Sequence, residues 1–181
     1  MYKYIKLVGL VLGLVVVAGC ETDGRVTGGG TMHSAGGDGK TVFTFNGQRC
    51  PDKDGVSETK GKVVLHDKTA IDFEAVGGVD LHGSLRNAAF CGDGTPVDGA
   101  VTVCRCGDQQ FQLEFDYRST NNKAAGEGTG IACLVDFGKG NGLHGAAVIQ
   151  LESGPYNGYV NVGGMDGQVN VKACPSESED E

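Results

Sequence analysis

The sequence predicts a single all-β domain: an antiparallel sandwich or jelly-roll-like barrel of about ten short strands, stapled by disulfides. Three observations predict it. Apolar and polar residues alternate with period two along most of the chain, as in half-buried strands. Glycine, with 32 of 181 residues, separates these runs and disfavours long helices, because each glycine costs roughly 1 kcal/mol relative to alanine in a helix interior. Seven cysteines are enough for a disulfide framework.

The clearest predicted strand covers 111–117, where Phe and Leu alternate with Gln112, Glu114 and Asp116. Residues 79–86 alternate in the same way. The other predicted strands are 40–46, 61–67, 69–75, 101–106, 131–137, 146–152, 156–162 and 168–172. Clusters of Gly, Asn and Asp lie between these segments, as expected for the turns of an antiparallel sandwich or barrel.

One hairpin is specified by its side chains. Segments 69–75 and 79–86 are separated by three residues, Val76, Gly77 and Gly78. A three-residue loop sets Phe73 opposite Leu81 on the inner face, whereas a two-residue loop would mix the polar and apolar faces. We therefore expect the three-residue register.

On the outer face, this register creates a candidate polar patch. It sets Asp72 opposite His82 and Glu74 opposite Asp80, with His66 on a neighbouring strand. Such an acid–imidazole patch would titrate near neutral pH or bind a divalent metal. The alternative is a solvated face in which each cross-strand pair contributes only about 0.2–1 kcal/mol.

The N-terminus combines a basic start with a short apolar run. Lys3 and Lys6 precede an uncharged run of apolar residues and Gly over 7–18. As a helix this run covers about 18 Å, too short for a hydrocarbon core of roughly 30 Å. It ends in Val17-Ala18-Gly19-Cys20, which resembles the lipobox of bacterial lipoproteins. The resemblance implies that 1–19 is a signal peptide and that Cys20 receives a diacylglycerol thioether; the alternative is an ordinary secretory signal peptide.

Cleavage before Cys20 leaves 162 residues with a formal side-chain charge of −10. It also leaves six further cysteines: Cys50, Cys91, Cys104, Cys106, Cys133 and Cys174. An even number in an exported protein predicts disulfides. The preferred pairing joins Cys50 to Cys174 and leaves the other four to pair among themselves. The alternative is a soft-metal site of Cys104 and Cys106 with Cys91 or Cys133.

The mature chain is expected to have three parts. Residues 20–39 are the lipidated Cys and a Gly-rich linker, unless 25–32 form an edge strand of the domain. Residues 40–174 are the β domain. Residues 175–181 carry four carboxylates and form an acidic tail, of a composition typical of disorder.

Short stretches spread over most of the mature chain are similar to a group of secreted bacterial β-domains called post-COAP domains. They lie at 26–30, 39–45, 61–67, 81–86, 154–160 and 167–171. The resemblance implies an all-β extracellular module without established catalysis. It also implies that the strand near Val26 belongs to the domain.

The expected function is that of a non-catalytic binding or structural module on the bacterial cell envelope, periplasmic or surface-exposed, in either membrane. Its expected partners are a membrane, through the lipid on Cys20, and an unidentified envelope protein. The 23 acidic against 15 basic residues disfavour nucleic-acid binding. No motif predicts a cofactor. Two alternatives stay open: a small envelope hydrolase using Glu114, Asp116 or histidines, and a metal-handling lipoprotein.

Overall fold

A computed structural model describes residues 23–91, 110–138 and 144–175. In this part of the chain, eight antiparallel strands form a closed barrel in which each strand pairs with its sequence neighbours and β1 pairs with β8. The strands are β1 (Gly24–His33), β2 (Lys40–Pro51), β3 (Ser57–Asp67), β4 (Val79–Cys91), β5 (Gln110–Ser119), β6 (Glu127–Asp136), β7 (Gly145–Leu151) and β8 (Val160–Lys172). Three 3-10 helices lie between them: Ile71–Val76, Asn122–Ala124 and Gly154–Tyr156.

The all-β prediction is confirmed, but the described residues form a closed up-and-down barrel of eight strands and not the expected sandwich or jelly-roll-like barrel of about ten short strands. The expected strand 69–75 was wrong, because Ile71–Val76 is a 3-10 helix. Of the expected strand 156–162, Tyr156 ends the 3-10 helix Gly154–Tyr156 and only 160–162 belong to β8, which continues through the expected strand 168–172. The expected strand 101–106 lies outside the described residues.

β1 is the strand that closes the barrel. It pairs with β2 on one side and with β8 on the other, so residues 25–32 form neither a linker nor an edge strand. Glycine allows this closure, since a Cβ atom at Gly28 would lie only 2.0 Å from the backbone oxygen of Gln168. The barrel therefore begins at Gly24, well before Lys40.

The segment between β3 and β4 curls because Asp67 and Ala35 hold its backbone. The Thr69 N–H donates to Asp67 Oδ1 (3.3 Å), and the Ile71 N–H donates to the Ala35 carbonyl (3.0 Å). Gly77 ends the helix with a φ of 85°, a left-handed conformation that favours glycine. A strand pairing with β4 is thereby excluded, and β3 takes its place beside β4.

The two ends of the barrel differ. We call the end that carries the three 3-10 helices the helix end, and the opposite end, where β1 begins and β8 finishes, the terminal end. At the terminal end Cys50 and Cys174 form a disulfide with a Cα–Cα distance of 5.7 Å, which confirms the preferred pairing. Cys133 is also disulfide-bonded, whereas Cys20, Cys104 and Cys106 lie outside the described residues.

The barrel interior is filled by apolar side chains. The largest fully buried ones include Phe43, Phe111, Phe115, Leu65, Leu81, Leu113, Leu134, Ile149 and Met165. Such filling is usual for barrels of eight strands. Of the helices that the structure describes, none has the length and apolar character needed to cross a membrane.

Candidate functional site

A buried carboxylate organises the helix end of the barrel. Asp67, at the end of β3, is fully buried. Its oxygens accept hydrogen bonds from the Ser34 hydroxyl (2.5 Å), the Ala35 N–H (2.9 Å), the Thr41 hydroxyl (2.8 Å), the Thr69 N–H (3.3 Å) and the Tyr159 hydroxyl (3.0 Å). These donors come from the β1–β2 loop, from β2, from the segment after β3 and from the residue before β8, so one side chain ties four parts of the chain together.

Ionisation of Asp67 follows from this environment. Burial opposes the charged form, but the hydrogen bonds from Ser34, Ala35, Thr41 and Tyr159 outweigh it and hold the pKa of Asp67 below its usual value. Burial also raises the pKa of the Tyr159 hydroxyl. Because the carboxylate is fully enclosed and saturated with donors, we assign Asp67 to stability rather than to ligand binding.

Two tyrosines complete the helix end. The Tyr117 hydroxyl donates to the Ser153 carbonyl (2.7 Å) and accepts from the Tyr156 N–H (3.2 Å). Burial raises the pKa of Tyr117. The Tyr156 hydroxyl bonds the Ser119 hydroxyl at 2.8 Å, and the rings of Tyr117 and Tyr156 stack with centroids 6.0 Å apart. These contacts seal the helix end with matched donors and acceptors.

The structure forms a polar patch on the outer wall, but with different partners from those expected. His82 lies opposite Val64 and Arg118, and Asp80 lies opposite His66. Asp72 and Glu74 belong to the 3-10 helix Ile71–Val76, so the expected pairs Asp72–His82 and Glu74–Asp80 were wrong. The strand that pairs with β4 on this side is β3, and not the segment 69–75 that the sequence pattern predicted.

Asp80 is the centre of the observed patch. Its Oδ1 bonds His66 Nδ1 and the Thr120 hydroxyl, each at 2.6 Å, and its Oδ2 bonds the Lys68 ammonium. Burial disfavours the charge, but the bonds from Lys68, Thr120 and His66 prevail and lower the pKa of Asp80 to about 2. His82 meets the His66 ring edge-on, 6.3 Å between centroids. An anion already engaged by three donors is poorly placed to act as a base.

The carboxylates considered for hydrolysis are also engaged. Arg86 lies between them, with its guanidinium 3.5 Å from Glu114 Oε2 and 3.7 Å from Asp116 Oδ1. The Gln112 amide donates to the other oxygen of Glu114 (3.2 Å). The arrangement is an ion-pair cluster on the outer wall, in which two carboxylates share one cation.

The metal hypothesis finds no completed site in residues 23–91, 110–138 and 144–175. No three His, Cys, Asp or Glu side chains of these ranges lie together in an arrangement that could hold a metal ion. The disulfide of Cys133 removes one of the thiolates that were considered as ligands. The pair Cys104 and Cys106 lies outside these ranges.

A polar groove lies on the outer wall at the terminal end, and we call it the cationic groove. It has a volume of about 580 Å³ and crosses β8, β1, β2 and β3. The side chains that line it are Arg25, Thr27, Asn46, Gln48, Lys60, Asn170 and Lys172. The lining therefore combines three cations, three amides and one hydroxyl, without a carboxylate.

The register explains how these side chains come together. Directly paired residues of antiparallel strands point to the same face. Lys172, Arg25, Gln48 and Lys60 form one outward row across four strands, and Asn170, Thr27, Asn46 and Lys62 form the next row. Lys172 and Arg25 are thus directly opposite like charges.

Like charges in this position are unfavourable unless an anion lies between them. Charged groups held as close as the paired positions themselves, about 5 Å apart, would repel by about 0.8 kcal/mol in a water-like dielectric. Among the described residues, neither Arg25 nor Lys172 has an ion-pair partner. Lys60 pairs with Glu58 at 2.7 Å, but both side chains are 62% exposed, and pairs of this kind contribute little. Arg25 and Lys172 therefore give the groove positive charge that no described carboxylate neutralises.

Sequence reasoning missed this site because its residues are spread from position 25 to position 172. The alternation of Lys60 and Lys62 marks an outward face of β3, but only the pairing of β1 with β8 brings Arg25 beside Lys172. Comparisons with protein-family models, with curated proteins and with solved structures found no match for this chain. The resemblances to lipoproteins and to post-COAP domains stay predictions.

Proposed function

We propose that this protein is a lipid-anchored, non-catalytic binding module of the bacterial cell envelope, attached to a membrane through Cys20. The observation that carries the binding role is the cationic groove, where Arg25 and Lys172 lie beside amide groups and have no ion-pair partner among the described residues. The packed interior supports a ligand on the outer wall. The engaged states of Asp67, Asp80 and Glu114 support binding rather than turnover.

The short distance from Cys20 to the barrel also supports a binding module that acts at the membrane. Cys20 precedes Gly24, the first residue of β1, by four positions. Four residues span at most about 14 Å when fully extended, whereas a flexible linker of 20 residues would span about 25 Å. An anchor at Cys20 therefore holds the terminal end close to the membrane surface, with the cationic groove beside it.

The anchor is tested by metabolic labelling with an alkyne fatty acid in bacteria that express the full chain. We expect label on the wild-type protein and recovery in the membrane fraction. The Cys20→Ser variant should lose both, whereas Ser34→Ala, which leaves the lipobox intact, should keep both. An unlabelled wild-type protein, or label that survives Cys20→Ser, would contradict the anchor.

The binding role is tested separately by photo-crosslinking in living cells. A benzophenone amino acid replaces Thr27 inside the cationic groove or, as a matched control, the outward-facing Ser84 on β4. We expect a discrete adduct from position 27 that disappears when Arg25→Gln and Lys172→Gln are added. Equal adducts from both positions, or none from position 27, would contradict a binding site at the groove.

A further inference from the structure

We infer that the cationic groove is a binding site for a phosphate group, held by Arg25 and Lys172 and completed by the amides of the neighbouring row. The inference rests on the proposed binding function and names the chemistry of its ligand. The guanidinium of arginine offers a planar fork of donors that suits phosphate oxygens, and an adjacent lysine adds a mobile second charge. The register sets these two side chains directly opposite each other on β1 and β8.

The second row supplies neutral donors in the right place. Asn170 and Asn46 flank Thr27 one step further from the terminal end. Asn46 Oδ1 accepts the Lys62 N–H (2.8 Å), so its amide N–H groups are left to face the groove, and the described residues give them no other acceptor. Amide and hydroxyl donors beside two cations complete the hydrogen-bonding shell that an oxyanion requires.

Lys60 extends the site to a second anionic group. It lies two strands from Arg25 in the same row, with Gln48 between them. At a strand spacing of about 4.8 Å, the two positions are roughly 10 Å apart. Its exposed pair with Glu58 is weak enough to be exchanged for a ligand. A compound with two phosphate groups, or a phosphate and a carboxylate, would therefore engage all three cations.

The charge of the surroundings favours a discrete ligand over a flat anionic surface. Asp52 and Asp54 lie exposed in the β2–β3 turn of the same end, and they would meet such a surface together with the groove. Asp136 accepts the Val171 N–H (3.1 Å) near the other edge of the groove. Because acidic groups lie on both sides of the cations, an anion is attracted to the groove and not to the terminal end as a whole.

The experiment is calorimetric titration of the protein, purified from membranes in neutral detergent, with inorganic pyrophosphate at 20 mM salt. We expect wild-type binding, and an affinity at least tenfold lower for Arg25→Gln/Lys172→Gln, because charge-assisted hydrogen bonds are lost. The matched control Arg118→Gln/Lys123→Gln removes the same charge from the helix end and should bind as wild type. Asn170→Asp, which adds a carboxylate to the groove, should also abolish binding.

A competition arm identifies the source of the phosphate. The titration is repeated in micelles that contain phosphatidylglycerol. Weaker pyrophosphate binding in these micelles assigns the groove to a lipid headgroup, and unchanged binding assigns it to a water-soluble phosphate compound; both agree with the inference.

Absent wild-type binding, or equal losses in the two double variants with unchanged melting temperatures, would overturn the inference. In that case a photo-adduct from position 27 would still support the proposed binding function with a ligand of different chemistry.

Discussion

Replacing Asp67 by asparagine tests whether one buried carboxylate holds the helix end of the barrel. Oδ2 accepts three of the five hydrogen bonds, from Ala35, Thr41 and Tyr159. Oδ1 accepts the other two, from Ser34 and Thr69. An amide has a single acceptor oxygen, so each orientation of asparagine turns its NH₂ group toward a backbone N–H that cannot accept.

The magnitude follows from counting these bonds. The better orientation keeps the three bonds of Oδ2 as neutral hydrogen bonds and leaves the Thr69 N–H unpaired. Bonds to a charged acceptor contribute about 1.5–3 kcal/mol and neutral ones about 1, so three weakened bonds cost about 3 kcal/mol in the free energy of unfolding. For a chain of this length, that loss lowers Tm by about 6–12 °C.

The assay is urea unfolding followed by circular dichroism and tyrosine fluorescence, since the chain has no tryptophan. Asp72→Asn is the matched control, because Asp72 is an exposed acid of the adjoining 3-10 helix and should change stability by less than 0.5 kcal/mol. A free energy of unfolding for Asp67→Asn within 0.5 kcal/mol of the wild-type value would refute this role of Asp67.

The pH dependence gives a second readout of the same substitution. The folded-state pKa of Asp67 is lowered, so its stabilisation is fully present above the unfolded pKa of about 4. That stabilisation is lost as the pH falls through the lower, folded pKa. We expect the free energy of unfolding of Asp67→Asn to decrease less than that of the wild type below pH 4, and parallel curves would refute this assignment.

Three other sets of substitutions test further interactions that stabilise the barrel. Asp80→Asn should lower the free energy of unfolding by about 1 kcal/mol at pH 7, measured by urea unfolding. The pKa of Asp80 is lowered from 3.8 to about 2, which corresponds to about 2.5 kcal/mol before screening by solvent. This stabilisation should vanish between pH 4 and 2, and an unchanged stability of the variant at pH 7 would contradict it. Cys50→Ser/Cys174→Ser should lower stability by about 3–5 kcal/mol, since loop entropy over 124 residues gives about 4.9 kcal/mol; an unchanged Tm would show that β1–β8 pairing suffices. Gly28→Ala should cost about 1–3 kcal/mol through overpacking, whereas Gly163→Ala, whose Cβ would meet only Met32 at 3.7 Å, should leave Tm nearly unchanged.

The fold was predictable from the sequence where side-chain alternation alone decides the structure. Strand 111–117 lies within β5, and Asp116 is exposed and Glu114 partly exposed as expected, whereas Gln112 is buried. The segment 69–75 also alternates, yet hydrogen bonds from Thr69 to Asp67 and from Ile71 to Ala35 curl it into a helix. These contacts join residues of three separate segments, which a local pattern does not contain.

The candidate site was less predictable because it depends on barrel closure. The sequence showed that His66, Asp80 and His82 share a polar face, but their partners depend on which strand lies beside β4. The cationic groove joins residues 25 and 172 through the β1–β8 pairing. The residues around each position carry no sequence pattern that predicts this pairing. The preferred pairing of Cys50 with Cys174 was correct, and its physical basis is visible only in the structure: β2 and β8 both finish at the terminal end, which brings the two cysteines together.

The contrast between the two barrel ends supports separate roles for them. At the helix end, Asp67, Tyr117 and Tyr156 are buried with matched partners, an arrangement that favours one rigid structure. At the terminal end, Arg25 and Lys172 repel each other across paired strands, which local stability alone disfavours. Arrangements that are locally unfavourable for stability occur preferentially at functional sites. The end with unmet charge is also the one that a lipid on Cys20 would hold at the membrane, so ligand capture and anchoring would act at the same end of the barrel.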